Sequence, residues 1–342
     1  MIPTVMHLAP TRLAHKIPQP RLPSIPNWNQ LLDEIRSAPS IQDQIRRQYL
    51  SELHAITNRN TIAYYSAWLQ KAGVAGTEIN DEDKNGFMTV IHQMDRQKGL
   101  DLILHTPGGD AAATESLVDY LRSMFGQDIR VVIPQLAMSG GTMIACVARE
   151  ILMGKQSSLG PIDPQFSGIP AHGVVEEFAR AKMEIEQSAA AIPVWQPIIA
   201  KYPPAFVGEC EKAIAWSNEM TKEWLSSGMF AGDKSAGKKI AVILEELGDH
   251  ALTKSHARHL PMIKCREMGL KISALEDNQE LQDAVLSVHH ACMLTLSQTQ
   301  AVKIIENQQG TAFIKMAAQM VMAAPRVPNQ YAEDEGRALG TD

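Results

Sequence analysis

Residues 99–166 read GLDLILHTPGGDAAATESLVDYLRSMFGQDIRVVIPQLAMSGGTMIACVAREILMGKQSSLGPIDPQF. An apolar run, Leu102-Ile103-Leu104, ends in the turn Pro107-Gly108-Gly109. A stretch with Leu117, Tyr120, Leu121 and Met124 on one helical face follows. A second β-branched run, Ile129 to Ile133, leads to Met138-Ser139-Gly140-Gly141 and the small-residue segment Thr142 to Ala148. A third run, Ile151 to Met153, precedes Ser157-Ser158-Leu159-Gly160. This alternation of strand, turn and helix predicts an α/β fold with a parallel sheet. The first two strands run out into glycines, at the strand ends where such sheets present ligands.

Ser139 falls at the start of a helix with two glycines behind it. A serine hydroxyl becomes a nucleophile when a base takes its proton and donors hold the oxyanion. The N–H groups of Gly140 and of Gly109, at the end of the neighbouring strand, are the candidate donors, since no Cβ obstructs them. The same string also reads as an N-cap serine with glycines that allow close packing. A phosphate cradle ranks low, because neither Gly-x-x-x-x-Gly-Lys nor Gly-x-Gly-x-x-Gly occurs.

The pairing of Pro107-Gly108-Gly109 with Met138-Ser139-Gly140-Gly141 resembles the Clp-protease/crotonase superfold and, within it, the signal-peptide-peptidase-A-like serine peptidases. The string Ser158-Leu159-Gly160-Pro161-Ile162-Asp163-Pro164-Gln165 resembles their serine dehydrogenase proteinase branch. The likeness extends from about Arg59 to about Ile314. It implies a Clp/crotonase-like parallel sheet with surrounding helices and a helical C-terminal extension. It also implies a serine endopeptidase with a Ser–Lys dyad. Lys182, 43 residues beyond Ser139, matches the dyad lysine; an apolar wall from Phe178, Ala179, Ala181 and Met183 would lower its pKa toward that of a base. A solvated helix lysine is the other reading. The Clp proteases use a histidine, which makes His172 the alternative base and His105, just before the glycine turn, a further one. Asp163 reads as a residue that orients its loop or a base. Gly108 and the strand near Ile103 are expected to align an extended peptide by β-addition. The fold implies a homo-oligomer, dimer-based or a ring, in which Lys182 can act across a subunit boundary.

With 342 residues, 45% hydrophobic and 20% charged, the chain has material for a sizeable core. A net charge of −6 gives no signal for nucleic acid, and no basic run suggests a membrane surface. Four scattered cysteines without a Cys-x-x-Cys pair indicate a reducing compartment without disulfides. No apolar run is long enough to span a bilayer and no signal-peptide pattern opens the chain, so a cytoplasmic enzyme is expected. No cofactor is implied. His256 and His259 share a His-x-x-His spacing without a third ligand, so a metal ranks low; that string reads as a helix start.

The organisation expected is a Pro-rich arm over 1–29, a peptidase domain over 30–325 and a mobile tail over 326–342. Ile45, Tyr49, Leu50 and Leu53 form a helical stripe, and Thr61 to Trp68 reads as the first strand. Asn80 to Asp83 reads as a solvated acidic helix start. Trp195, Trp216 and Trp224 read as packing faces, and His289 to Ile314 as helical. Two other functions remain open: a crotonase-like acyl-CoA enzyme, which would turn over thioesters without Ser139, and a catalytically silent scaffold, which would bind a partner equally well without it.

Overall fold

The computed structural model describes residues 40–248 and 255–317. The expected Pro-rich arm and C-terminal tail lie outside the described residues.

Strands β1 (Asn60–Ser66), β2 (Leu100–His105), β3 (Ile129–Ile133), β5 (Glu150–Met153) and β10 (Ile272–Ala274) pair in parallel, in the spatial order β10-β5-β3-β2-β1. Helices carry the chain between successive parallel neighbours, as such pairing requires. Alternate strand residues serve the two faces. Ile62, Tyr64, Leu102, Leu104, Val131 and Ile133 pack with α2 (Glu82–Ile91), α3 (Ala111–Phe125) and α4 (Gly140–Ala145). Ala63, Tyr65, Ile103, Val132 and Leu152 pack with α1 (Ile41–Thr57) and α10 (Gln279–Gln298) on the other side. The result is a sheet with helices on both faces.

The expected C-terminal helicity holds only to Gln298. Residues 301–307 and 312–316 instead form strands β11 and β12, an antiparallel pair that adds to the sheet beside β1. Lys303 and Glu306 are fully buried in β11, because each meets a charge from another element. Glu306 accepts from Arg46 of α1 at 2.7 Å, and Lys303 donates to Asp83 of α2 at 2.6 Å. Asp83 is therefore a buried ion-pair partner and not part of a solvated acidic cap. It also accepts from the Tyr64 hydroxyl at 2.7 Å.

A small sheet carries the site. β4 (Leu136–Ala137) pairs with β6 (Ser158–Leu159), and β6 with β9 (Leu260–Pro261). Residues 255–259 approach β9 as a loop and not as the expected helix start; the helix α9 begins at Met262. Beyond β6, the hairpin β7 (Gln165–Phe166) and β8 (Ile169–Pro170) opens α5 (Ala171–Gln187). Helix α5 packs with α6 (Ile192–Ile199) and α7 (Phe206–Ser227), with Phe166, Val174, Phe178, Tyr202, Phe206 and Cys210 in a core of their own. Helix α8 (Ala236–Gly248) lies against α7.

Candidate active site

Ser139 has φ +50° and ψ −117°, a conformation that non-glycine residues rarely adopt. Such strain persists only where the surroundings impose it. Here they are specific. The Met138 N–H donates to Thr106 O at 3.0 Å, and the Thr106 N–H donates to Leu136 O at 3.3 Å, so the segment before Ser139 lies along the end of β2. On the far side, the Thr142 hydroxyl sits 2.9 Å from Ala137 O and 2.8 Å from Gly160 O, and accepts from the Gly160 N–H at 3.0 Å. The turn between β4 and α4 is held from both sides, and Ser139 at its apex takes the strained angles.

The Ser139 side chain makes no capping hydrogen bond. It is half-buried at the wall of a cavity of about 350 Å³. Met143, Ile162, Phe166 and Trp216 make much of the lining apolar, with Asp110, Gln165 and Ser217 as its other polar side chains. Trp216, which the sequence suggests as a packing face, is 38% exposed and forms one wall. Trp195 and Trp224 are buried.

Gly109 and Gly140 both line this cavity. Among the described residues neither N–H donates a hydrogen bond, as befits the first residue of α4 and a residue bridged only through its neighbours. Gly108 brings the two together. Its φ is +92°, and a Cβ there would fall 2.7 Å from Ser139 Cβ and 2.8 Å from Gly140 N. Its own N–H donates to Thr106 Oγ1 at 3.2 Å and its carbonyl accepts from the Ile79 N–H at 2.8 Å. The Gly108 N–H is thus committed within the chain and not free to donate to a substrate backbone. The strand at Ile103 is likewise no site for β-addition, since β2 is paired along both edges, with β1 and β3.

The sequence-derived base candidates stand away from this lining. Lys182 lies 78% exposed on α5, its Nζ 4.0 Å from Glu186. It follows the hairpin end of that helix by eleven residues, about 16 Å at the helical rise. His172 is half-buried in the first turn of α5. His105 is fully buried behind the glycine turn, its ring 4.3 Å from that of Trp68 and 5.5 Å from that of Tyr65. Burial, and then the neighbouring His289, lower its pKa to about 3, which leaves it a weak base at neutral pH. Asp110 is the one titratable side chain in the cavity lining, and its carboxylate caps α3 by accepting from the Ala113 N–H at 2.8 Å.

A further pair joins Asp163, which the sequence suggests as orienting its loop or a base, to His256 of the His-x-x-His string; that the two meet has no signature in the sequence. Asp163 is fully buried, and its Oδ1 lies 2.8 Å from Nδ1 of the partly exposed His256. The residues on either side of Asp163, Ile162 and Pro164, line the Ser139 cavity. Among the described residues no group of three or more His, Cys, Asp or Glu side chains is placed to hold a metal ion.

The mostly parallel sheet with helices on both faces is consistent with a ClpP-like protease fold. The strained serine and unpaired glycine N–H groups lie at its strand ends, where such sheets present ligands. The chain belongs to the ClpP-like SDH-type serine proteinases, whose sequence profile matches residues 59–281. It is similar to two uncharacterised proteins of Methanocaldococcus jannaschii. One is 30% identical over 195 residues, covering 57% of this chain and 59% of the relative. The other is 33% identical over 156 residues, covering 44% and 54%. The chain thus spans little more than half the length of the curated relatives it matches. A solved membrane-bound stomatin-specific protease is 18% identical, covering 60% of this chain and 79% of its own, with a TM-score of 0.36. Among the described residues no helix is long and apolar enough to cross a membrane.

Proposed function

We propose that the protein is a serine endopeptidase in which Ser139 attacks the scissile carbonyl and the N–H groups of Gly109 and Gly140 receive the oxyanion. The observation that carries this reading is the conjunction at one apolar cavity of a strained serine with a free side chain and two unpaired backbone donors. The base takes the Ser139 proton, and attack forms the acyl-enzyme of the N-terminal fragment through a tetrahedral intermediate. The amine of the C-terminal fragment leaves with that proton, and water then hydrolyses the ester to free Ser139. Two preorganised donors are the minimum apparatus for that intermediate. Met143, Ile162 and Trp216 favour an apolar side chain beside the scissile bond.

Lys182 serves as the base of a Ser–Lys dyad when a second copy supplies it, because within one chain it sits on the exposed face of α5. This makes the active form a homo-oligomer. A second reading assigns the proton transfer to His256, with Asp163 holding its Nδ1 and leaving Nε2 to act. The 2.8 Å hydrogen bond and the two flanking cavity residues favour it. Four cysteines that are free and buried fit a reducing, cytoplasmic setting.

The test is labelling by a fluorophosphonate probe of the wild type, Ser139→Ala, Lys182→Ala and His256→Ala. Labelling of the wild type and not of Ser139→Ala establishes the nucleophile. Loss in Lys182→Ala, restored on mixing with Ser139→Ala protein, assigns the base to the second copy. Loss in His256→Ala alone assigns it to the histidine. An unlabelled wild type, with thioester turnover that survives Ser139→Ala, would overturn the peptidase reading in favour of an acyl-CoA enzyme.

A further inference from the structure

We infer that the substrate is a polypeptide carrying a second apolar side chain, which seats in a groove continuous with the Ser139 cavity across Phe166. This rests on the peptidase reading above. The groove, of about 420 Å³, is walled by Phe166, Ile169, Ile198, Tyr202, Pro203 and Phe206. Phe166 lines both spaces and so stands between them.

The walls are fixed in place without an occupant. The Phe166 and Phe206 rings meet edge-on with centroids 5.4 Å apart, and Tyr202 stacks on Phe206 at 6.0 Å. The Tyr202 hydroxyl donates to Glu177 of α5, which anchors the rim to a second helix. Ile169, at the hairpin, is 46% exposed despite this apolar company. A preformed apolar recess with few polar groups is what a side-chain pocket requires.

The backbone beside the groove fits an extended chain. Strand β7 pairs with β8 on one edge, and among the described residues its other edge has no strand partner. Gln165 and Phe166 of β7 line the Ser139 cavity. A peptide added along that edge would alternate its side chains between opposite directions. One apolar residue then lies in the Ser139 cavity and another reaches the groove. The substrate thereby gains selectivity from a part remote from the scissile bond, which such remote contacts commonly supply.

The experiment measures fluorescence anisotropy of labelled peptides, each roughly ten residues long in line with an extended strand, on the full-length Ser139→Ala protein. A Leu-Phe-Leu block is walked along an otherwise Ser/Gln/Gly chain. At one or two positions the block is expected to tighten binding about tenfold or more, the scale of one buried apolar side chain. Ile169→Glu in the same background is expected to remove that preference, and Ile169→Ala, the milder change at this exposed position, to reduce it. Equal binding of all peptides, or a preference untouched by Ile169→Glu, overturns the inference. So does an Ile169→Glu protein that sediments as a smaller particle while keeping the peptide preference, since the groove then belongs to a second copy. A wild type unreactive to the fluorophosphonate that still shows the Ile169-dependent preference supports the groove and counts against the nucleophile alone.

Discussion

Ile79 and Gly109 form an isolated parallel bridge: the Ile79 N–H donates to Gly108 O at 2.8 Å, and the Asp110 N–H donates to Ile79 O at 2.9 Å. Both bonds use the neighbours of Gly109, so its own N–H is turned away from the strap and left for the cavity. The strap is anchored in turn, because Lys303 Nζ donates to Glu78 O at 2.8 Å. A buried lysine in β11 therefore braces the segment that bridges to Gly109, one of the two proposed oxyanion donors.

Gly109→Ala should damage the site more than its size suggests. The added Cβ would fall 2.3 Å from Ile79 N and 2.4 Å from Ile79 O, so either the strap or the glycine turn must move. Displacing one oxyanion donor lowers acyl-transfer rates roughly 100- to 1,000-fold. The rate of fluorophosphonate labelling should fall by that order, with a lowered Tm.

Replacing Ser139 separates strain from chemistry. Both Ser139→Ala and Ser139→Gly remove the proposed nucleophile, but only glycine adopts φ +50° freely. The Gly variant should be the more stable of the two by about 1 kcal/mol, read from urea midpoints at unchanged slope. Equal midpoints would show that the serine backbone is relaxed.

Lys303→Met should cost about 3–5 kcal/mol, because it leaves the buried Asp83 carboxylate without its cation. Adding Asp83→Leu should recover most of that loss in a double-mutant cycle. Probe labelling should still fall in the double variant, since the Glu78 carbonyl has lost its anchor.

Acid should destabilise the fold between pH 6.5 and 4. Burial, and then His289, lower the His105 pKa from 6.5 to about 3; burial, and then His290, lower that of His289 to about 4. As pH falls below 6.5 the unfolded chain binds protons that the folded chain refuses, so stability present above 6.5 is lost. Each group contributes up to about 1.4 kcal/mol per pH unit in that window. His105→Phe, which keeps a ring against Trp68, should flatten the dependence of Tm on pH.

Four parallel strands, the two glycine turns and Ser139 were legible because each has a local signature: β-branched or apolar runs, punctuating glycines and a helical stripe. Strands β11 and β12 were not. Val302, Ile304, Ile305 and Phe313 suit a helix in isolation, and Lys303 and Glu306 look solvated until Asp83 and Arg46 arrive from far along the chain. The bridging role of Ile79 was invisible for the same reason.

The alternation of strands and helices from β1 to β5 and the serine beside its glycines follow from the sequence alone, since they rest on periodicity and on residues whose backbone freedom is intrinsic; the family follows from the resemblance its motifs carry. The tertiary structure decided where charges are paired, that Lys182 faces solvent, that His105 is sealed behind the glycine turn, and that the buried Asp163 meets His256. Burial and through-space partnership set the chemistry of an ionisable side chain, and neither is encoded at the position of that residue.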